Sequence, residues 1–115
     1  MRIEEYLTSS GRKPVIEFIK SLPQSDQERF IEIMDGIKQD GMGFSKVQFR
    51  QLAGKLWEIK YTAPGGGYRI AYVLIDHDHM VLLHAFKKMS KKSPPRDLAL
   101  ALKRMKEVLN HEKKS

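Results

Sequence analysis

Lys60, Arg69, His84, Lys87 and Lys88 fall between Leu52 and Pro94, on two closely spaced hairpin signals, with Glu58 just ahead of them. These residue types suit a polyanionic partner, and RNA is the leading candidate. Cleaving RNA by in-line attack of a 2′-hydroxyl on the adjacent phosphate needs a base for that hydroxyl. It also needs cations for the phosphoryl oxygens and an acid for the leaving 5′-oxygen. Arg69 suits the phosphate, since a planar guanidinium holds two oxygens at once. Lys60 fits an electrostatic stabiliser or, if neighbouring cations depress its proton affinity, the base; Glu58 and His84 are the competing bases. Lys87 or Lys88 could stabilise or protonate the leaving group, and Phe86 could stack a nucleobase.

Each of these residues has a plainer counterpart. Arg69 also reads as a surface or salt-bridge arginine, Glu58 as the ion-pair partner of Lys60, and His84 as a structural histidine in an apolar strand. His77 and His79 lie in a turn with Asp76 and Asp78, where polar turn chemistry is a simpler reading than a metal site. Gly65, Gly66 and Gly67 lack the Lys-Ser/Thr of a phosphate loop and the helix that follows one. Neither a metal nor any other cofactor is expected.

The elements that must carry this chemistry are legible in periodicity. Val15, Phe18, Ile19 and Leu22 follow a helical spacing after Pro14. Pro23 then breaks the chain, Ser25 and Glu28 have capping-box spacing, and Phe30, Ile33, Met34 and Ile37 repeat the stripe until Gly41 and Gly43 stop it. A third helix is expected from Ser93, with Leu98, Ala101, Leu102, Met105 and Leu109 buried and Arg96, Lys103, Arg104 and Lys106 largely outward. Between these helices the period changes to two. Strands are expected at Leu56 to Tyr61, Tyr68 to Ile75 and Met80 to Phe86, with further ones near Val47 to Gln51 and Arg2 to Leu7.

Turn chemistry sets an expected register. A loop centred between Pro64 and Gly65 places Tyr61 opposite Tyr68, Lys60 opposite Arg69 and Glu58 opposite Ala71. The Asp-His-Asp-His turn places Ile75 opposite Met80, Ala71 opposite His84 and Arg69 opposite Phe86. One face then carries Trp57, Ile59, Tyr61, Tyr68, Ile70, Tyr72, Leu74, Val81, Leu83 and Ala85 as the core side. The other gathers Glu58, Lys60, Arg69, His84 and Phe86, with Lys88 just beyond, while Leu56, Val73, Ile75, Met80 and Leu82 fill its far end. The fold class is α/β in the α+β sense.

Composition bounds the answer further. A chain of 115 residues with 41% hydrophobic content fits one domain over 1–115, with a tail expected to fray over 111–115. Residues 1–86 hold 11 Lys/Arg against 11 Asp/Glu and residues 87–115 hold 10 against 3, so the net charge of +7 lies entirely in the last quarter. Lys91, Lys92 and Arg96 join Lys87 there as candidate RNA-binding residues. The absence of cysteine excludes disulfide scaffolds and zinc ribbons. No run approaches the roughly 18 apolar residues of a membrane span, and Glu4 and Glu5 interrupt any secretory h-region, so a soluble cytoplasmic protein is expected.

Three segments together resemble a known family: Leu52-Ala-Gly-Lys-Leu-Trp-Glu-Ile-Lys60, Gly67-Tyr-Arg-Ile-Ala-Tyr72 and Leu83-His-Ala-Phe-Lys-Lys88, with Pro94-Pro95 ahead of a helix. The ordered set resembles the RelE/ParE toxin superfamily, closest to its phage-derived, HigB-type branch of RelE-like toxins. That resemblance implies a curved antiparallel sheet of about four to five strands, an N-terminal helical hairpin and a C-terminal helix. It implies a type II toxin–antitoxin toxin that cleaves messenger RNA in the ribosomal A site, an mRNA interferase, held by an adjacent antitoxin, helix-turn-helix in type. By position Lys60, Arg69 and Lys88 match the basic residues of such toxins. Glu58 stands where a second basic residue is usual, and Pro94-Pro95 where RelE has a tyrosine. The superfamily also holds ParE-type proteins that inhibit DNA gyrase without hydrolysis, and a non-catalytic RNA-binding module is a third reading.

Overall fold

Two tight turns determine which residues face one another in the computed structural model, which describes residues 1–114. The strand Leu56–Ala63 (β3) pairs antiparallel with Gly66–Asp76 (β4) through Ala63↔Gly66, leaving Pro64 and Gly65 as the turn. Gly66 follows with φ +138°, a backbone conformation that a side chain rarely adopts. The turn is also held from outside the sheet: Asp26 accepts the Gly65 N–H at 2.9 Å and the Tyr68 hydroxyl proton. Lys60 thus faces Arg69, Tyr61 faces Tyr68 and Glu58 faces Ala71, as the turn sequence implies.

The remaining elements complete one five-stranded sheet in the order β1-β5-β4-β3-β2. Arg2–Glu5 forms β1, Gln48–Ala53 forms β2 and His79–Lys87 forms β5. The pairs β2–β3 and β4–β5 are antiparallel, whereas β1 runs parallel to β5 at the edge. The helices Pro14–Lys20 (α1) and Gln24–Asp40 (α2) pack on one face, and Pro95–Lys114 (α3) packs on the other. This is the α+β, RelE-like architecture that the motifs imply. α3 is helical to position 114, and position 115 lies outside the described residues. No helix among the described residues is long and apolar enough to cross a membrane.

Both faces of the sheet are therefore apolar over part of their length. Val15, Ile19, Phe30, Ile33, Met34 and Ile37 of the hairpin bury Ile59, Tyr61, Tyr68, Ile70 and Tyr72. Ala101 and Met105 of α3 bury Leu56, Ala71, Val73, Val81 and Leu83. The expected assignment of Val81 and Leu83 to the hairpin side, and of Met80 and Leu82 to the other, is reversed. The cause is a pair of bulges. Ala71 faces His84 but Tyr72 faces Leu82, so Leu83 is an extra residue on β5. Leu74, not Ile75, faces Met80, and Asp76 faces His79, so Ile75 is the compensating extra residue on β4. A bulge puts adjacent residues on one side of the sheet, and here Leu83 and His84 both face α3.

The start of α2 also differs from the capping-box expectation. The helix follows Pro23 with no side-chain cap, and Asp26 turns inward in its first turn to hold the Pro64–Gly65 hairpin. Its carboxyl is held below the usual aspartate value, chiefly by the Tyr68 hydroxyl, with further help from the Gly65 N–H, Lys87 and Arg29. Tyr68 is pushed up to about 12, by burial first and by the Asp26 hydrogen bond second.

A depressed carboxyl stabilises the fold above its unfolded pKa of 3.8 and loses that contribution as pH falls through its lower folded value. Asp26→Asn should therefore flatten the acid limb of the unfolding midpoint against pH. Tyr68→Phe should cost about 1.5–3 kcal/mol in urea denaturation at neutral pH, because the lost hydrogen bond is to an ionised carboxylate. An unchanged acid limb in Asp26→Asn would contradict this account.

Candidate functional site

Alternation along β3, β4 and β5 brings Lys60, Arg69, Glu58, Phe86 and His84 to the α3 face of the sheet, at the end that α3 leaves open. Lys88 continues the line of β5, its N–H bonded to the Gly67 carbonyl at 2.9 Å. Lys60 senses all of this. Its ammonium is pushed below the ordinary lysine value by partial burial first, then by Lys88, Arg69 and Arg50, against an opposing pull from Glu58. The three cations singled out in the sequence thus share one electrostatic neighbourhood.

Arg50 is a fourth member that sequence reading missed. Once β2 pairs with β3, Arg50 faces Glu58 and its Nη2 lies 3.1 Å from Glu58 Oε1. The signal was its alternation within β2, which becomes usable only when that strand's register is known.

Arg69 occupies a different situation from the phosphate clamp expected of it, because its guanidinium is 0% exposed and already engaged. Nη2 donates to the carbonyls of Ser90 and Lys91, each at 2.7 Å, and Nη1 donates to Ser93 Oγ at 2.9 Å. Nη1 also lies 3.8 Å from Glu58 Oε1. The segment 88–94 is thereby strapped across the arginine. A second bond inside the strap, Ser90 Oγ to the Lys92 carbonyl at 2.7 Å, tightens it. Lys88, Lys91 and Lys92 remain exposed on its outer surface.

Glu58, one candidate base, is wholly buried. Its Oε1 is in ion-pair range of the two arginines, and its Oε2 accepts a hydrogen bond from Ser93 Oγ at 3.3 Å. Its partners are Arg50 and Arg69 rather than Lys60, so its place is that of an internal counter-ion. His84, the other candidate base, has both ring nitrogens occupied. Nε2 lies 2.7 Å from Asp97 Oδ1 and Nδ1 lies 3.4 Å from Arg104 Nη1. Since a guanidinium only donates, Nδ1 accepts and Nε2 carries the proton given to Asp97, a tautomer assigned from the network. Arg104, expected to point outward, reaches in to the Leu83 carbonyl at 3.0 Å and lies 5.1 Å above the Tyr6 ring. The bulge at Leu83 turns that carbonyl toward α3.

The other expected binding residues divide. Phe86 stacks on the His84 ring, with centroids 5.3 Å apart, and stays partly exposed. Arg96 is exposed in the first turn of α3. Lys87 is not brought to this site, because it pairs across from Tyr68 and faces the hairpin side, where it acts on Asp26. Among the described residues no group of three or more His, Asp or Glu side chains could hold a metal ion.

Residues 17–106 match the family described as Phage derived protein Gp49-like (DUF891), a match that runs from α1 through most of α3. The chain belongs to this phage-derived family, which is associated with RelE-like toxins of toxin–antitoxin systems. No curated protein matches it.

If Arg69 and Glu58 form the buried anchor of the strap, Arg69→Gln should cost about 3–5 kcal/mol in urea denaturation, because one buried charge loses its partner. Amide exchange across 88–94 should accelerate well before global unfolding. Slow exchange there in a folded Arg69→Gln protein would show that the strap holds itself.

Proposed function

We propose that this chain is the toxin of a type II toxin–antitoxin pair, of the HigB-type RelE branch, and an mRNA interferase that cleaves messenger RNA on the ribosome. The observation that carries the reading is Lys60, a partly buried amine whose proton is made easier to lose by burial, Lys88, Arg69 and Arg50. A lysine so placed serves as a general base nearer neutral pH than a free one. The same cations suit a phosphodiester, which a partner without phosphate, such as gyrase protein, would not require.

In this reaction neutral Lys60 takes the proton of the 2′-hydroxyl as that oxygen bonds to the adjacent phosphorus. The P–O5′ bond breaks, and the leaving 5′-oxygen takes a proton from the Lys88 ammonium. The products are a 2′,3′-cyclic phosphate and a 5′-hydroxyl end. Arg69 contributes its charge from beneath the surface, through its field on Lys60 and through the strap, because its Nη groups are already bonded to 90–93. The Phe86–His84 ring pair offers a platform for a nucleobase, and Lys91, Lys92 and Arg96 steer ribosomal and messenger phosphates. A helix-turn-helix antitoxin made beside the toxin in the cytoplasm is the partner this reading calls for.

Induced expression in a bacterial host, with 5′-end mapping of transcripts, should reveal cuts within translated regions. In single-turnover cleavage of ribosome-bound message, the rate should rise with pH as the neutral amine fraction grows, with a midpoint below lysine's usual 10.5. Lys60→Ala should remove that limb and lower the rate by about 10²–10⁴-fold. Intact transcripts together with inhibited gyrase supercoiling would replace this reading with the ParE-type one.

A further inference from the structure

Resting on that reading, we infer that Arg50 is the arginine that grips the RNA phosphate beside Lys60. The two arginines of the site have divided the available roles. Arg69 is sealed under 88–94, with its Nη donors given to two carbonyls, a serine hydroxyl and the neighbourhood of Glu58. Its Nε is also buried and faces no acceptor among the described residues. For Arg69 to reach a phosphate, the strap would have to lift and three hydrogen bonds would have to break.

Arg50 needs no such rearrangement. Its side chain is 40% exposed. One nitrogen, Nη2, leans on the buried carboxylate of Glu58 at 3.1 Å, and Glu58 is in turn fixed by Ser93 and Arg69. An arginine already drawn by an ion pair toward one position loses less freedom when it binds an anion, and a planar fork matches two phosphoryl oxygens. Position agrees with charge. Arg50 faces Glu58 and Gln48 faces Lys60, so Arg50 and Lys60 are diagonal neighbours on adjacent strands, roughly 7–8 Å apart at their backbones. That spacing lets two long side chains converge on one phosphodiester, and the influence of Arg50 on the Lys60 ammonium places both charges in the same field.

Glu58 then has a reason to be acidic in a basic site. A buried carboxylate between two arginines holds one in the interior and the other at the surface, where a lysine at that position would repel both.

The test uses the full chain with two probes: a fluorescein-labelled oligouridylate for binding across a salt series, and ribosomes carrying a defined message for cleavage. Arg50→Gln should lower single-turnover cleavage by about 100-fold. It should also reduce the slope of log affinity against log salt by about 1. Because one cation pressing on Lys60 is gone, the alkaline limb of the pH–rate profile should move to higher pH, which a purely structural loss would not produce. Arg50→Lys keeps a cation beside Glu58 and so preserves the fold; without the fork its rate should fall between those of wild type and Arg50→Gln. Wild-type cleavage and salt slope in both variants would overturn the inference and leave the nuclease reading standing. A wild-type protein that binds the oligonucleotide without cleaving message, with the slope reduced in Arg50→Gln, would uphold Arg50 and remove the nuclease. Neither binding nor cleavage by wild type would overturn both.

Discussion

Burying an arginine is expensive unless its charge is matched and its donors are given acceptors, and Arg69 sits wholly buried at the centre of the sheet's open end. The chain meets most of that demand with Glu58 from the neighbouring strand and with oxygens from 90–93, which take the Nη donors. Much else follows from it. The strap is drawn down over the strands, α3 begins directly after it, and Lys88, Lys91 and Lys92 are displayed on its outside. Without the central pair, the connection between β5 and α3 would be a polar loop with nothing beneath it to hold its shape.

Lys60 inherits its properties from this arrangement. It lies beside a fixed guanidinium that cannot move away, next to Lys88 on the continuation of β5 and diagonal to Arg50 on β2. Mobile surface cations would relax apart and be screened within about 10 Å at moderate salt. Here one of the three, Arg69, is locked in the interior, so part of the pressure on the Lys60 proton is a property of the fold.

The parts of this arrangement that could be read in the sequence are those governed by local rules. The Pro64–Gly65 turn fixed the facing of Lys60 and Arg69, because hairpin turns dictate register, whereas the expected facing of Arg69 and Phe86 holds only because the extra residues at Ile75 and Leu83 cancel. The helical stripes of α1, α2 and α3 followed from spacing alone. What escaped was non-local. The extra residue at Leu83 leaves the apolar alternation of Met80 to Leu83 equally plausible on either face, so pattern could not detect the flip. Asp26 resembled an ordinary first-turn acid, and its partners lie 39 and 42 residues away. His84 acquired Asp97 and Arg104 only through the docking of α3. Arg69 gave no sign of being covered, since its main acceptors are backbone oxygens, which every sequence possesses.

That last point has a consequence for how the surface can change. Two of the three oxygens gripping the central guanidinium are main-chain atoms of positions 90 and 91, and the third is the Ser93 hydroxyl. The outline of the segment is therefore indifferent to the side chains at 91 and 92. Those two sites form interchangeable fittings on a rigid mount: new chemical groups can be exchanged there while the architecture below stays as it is.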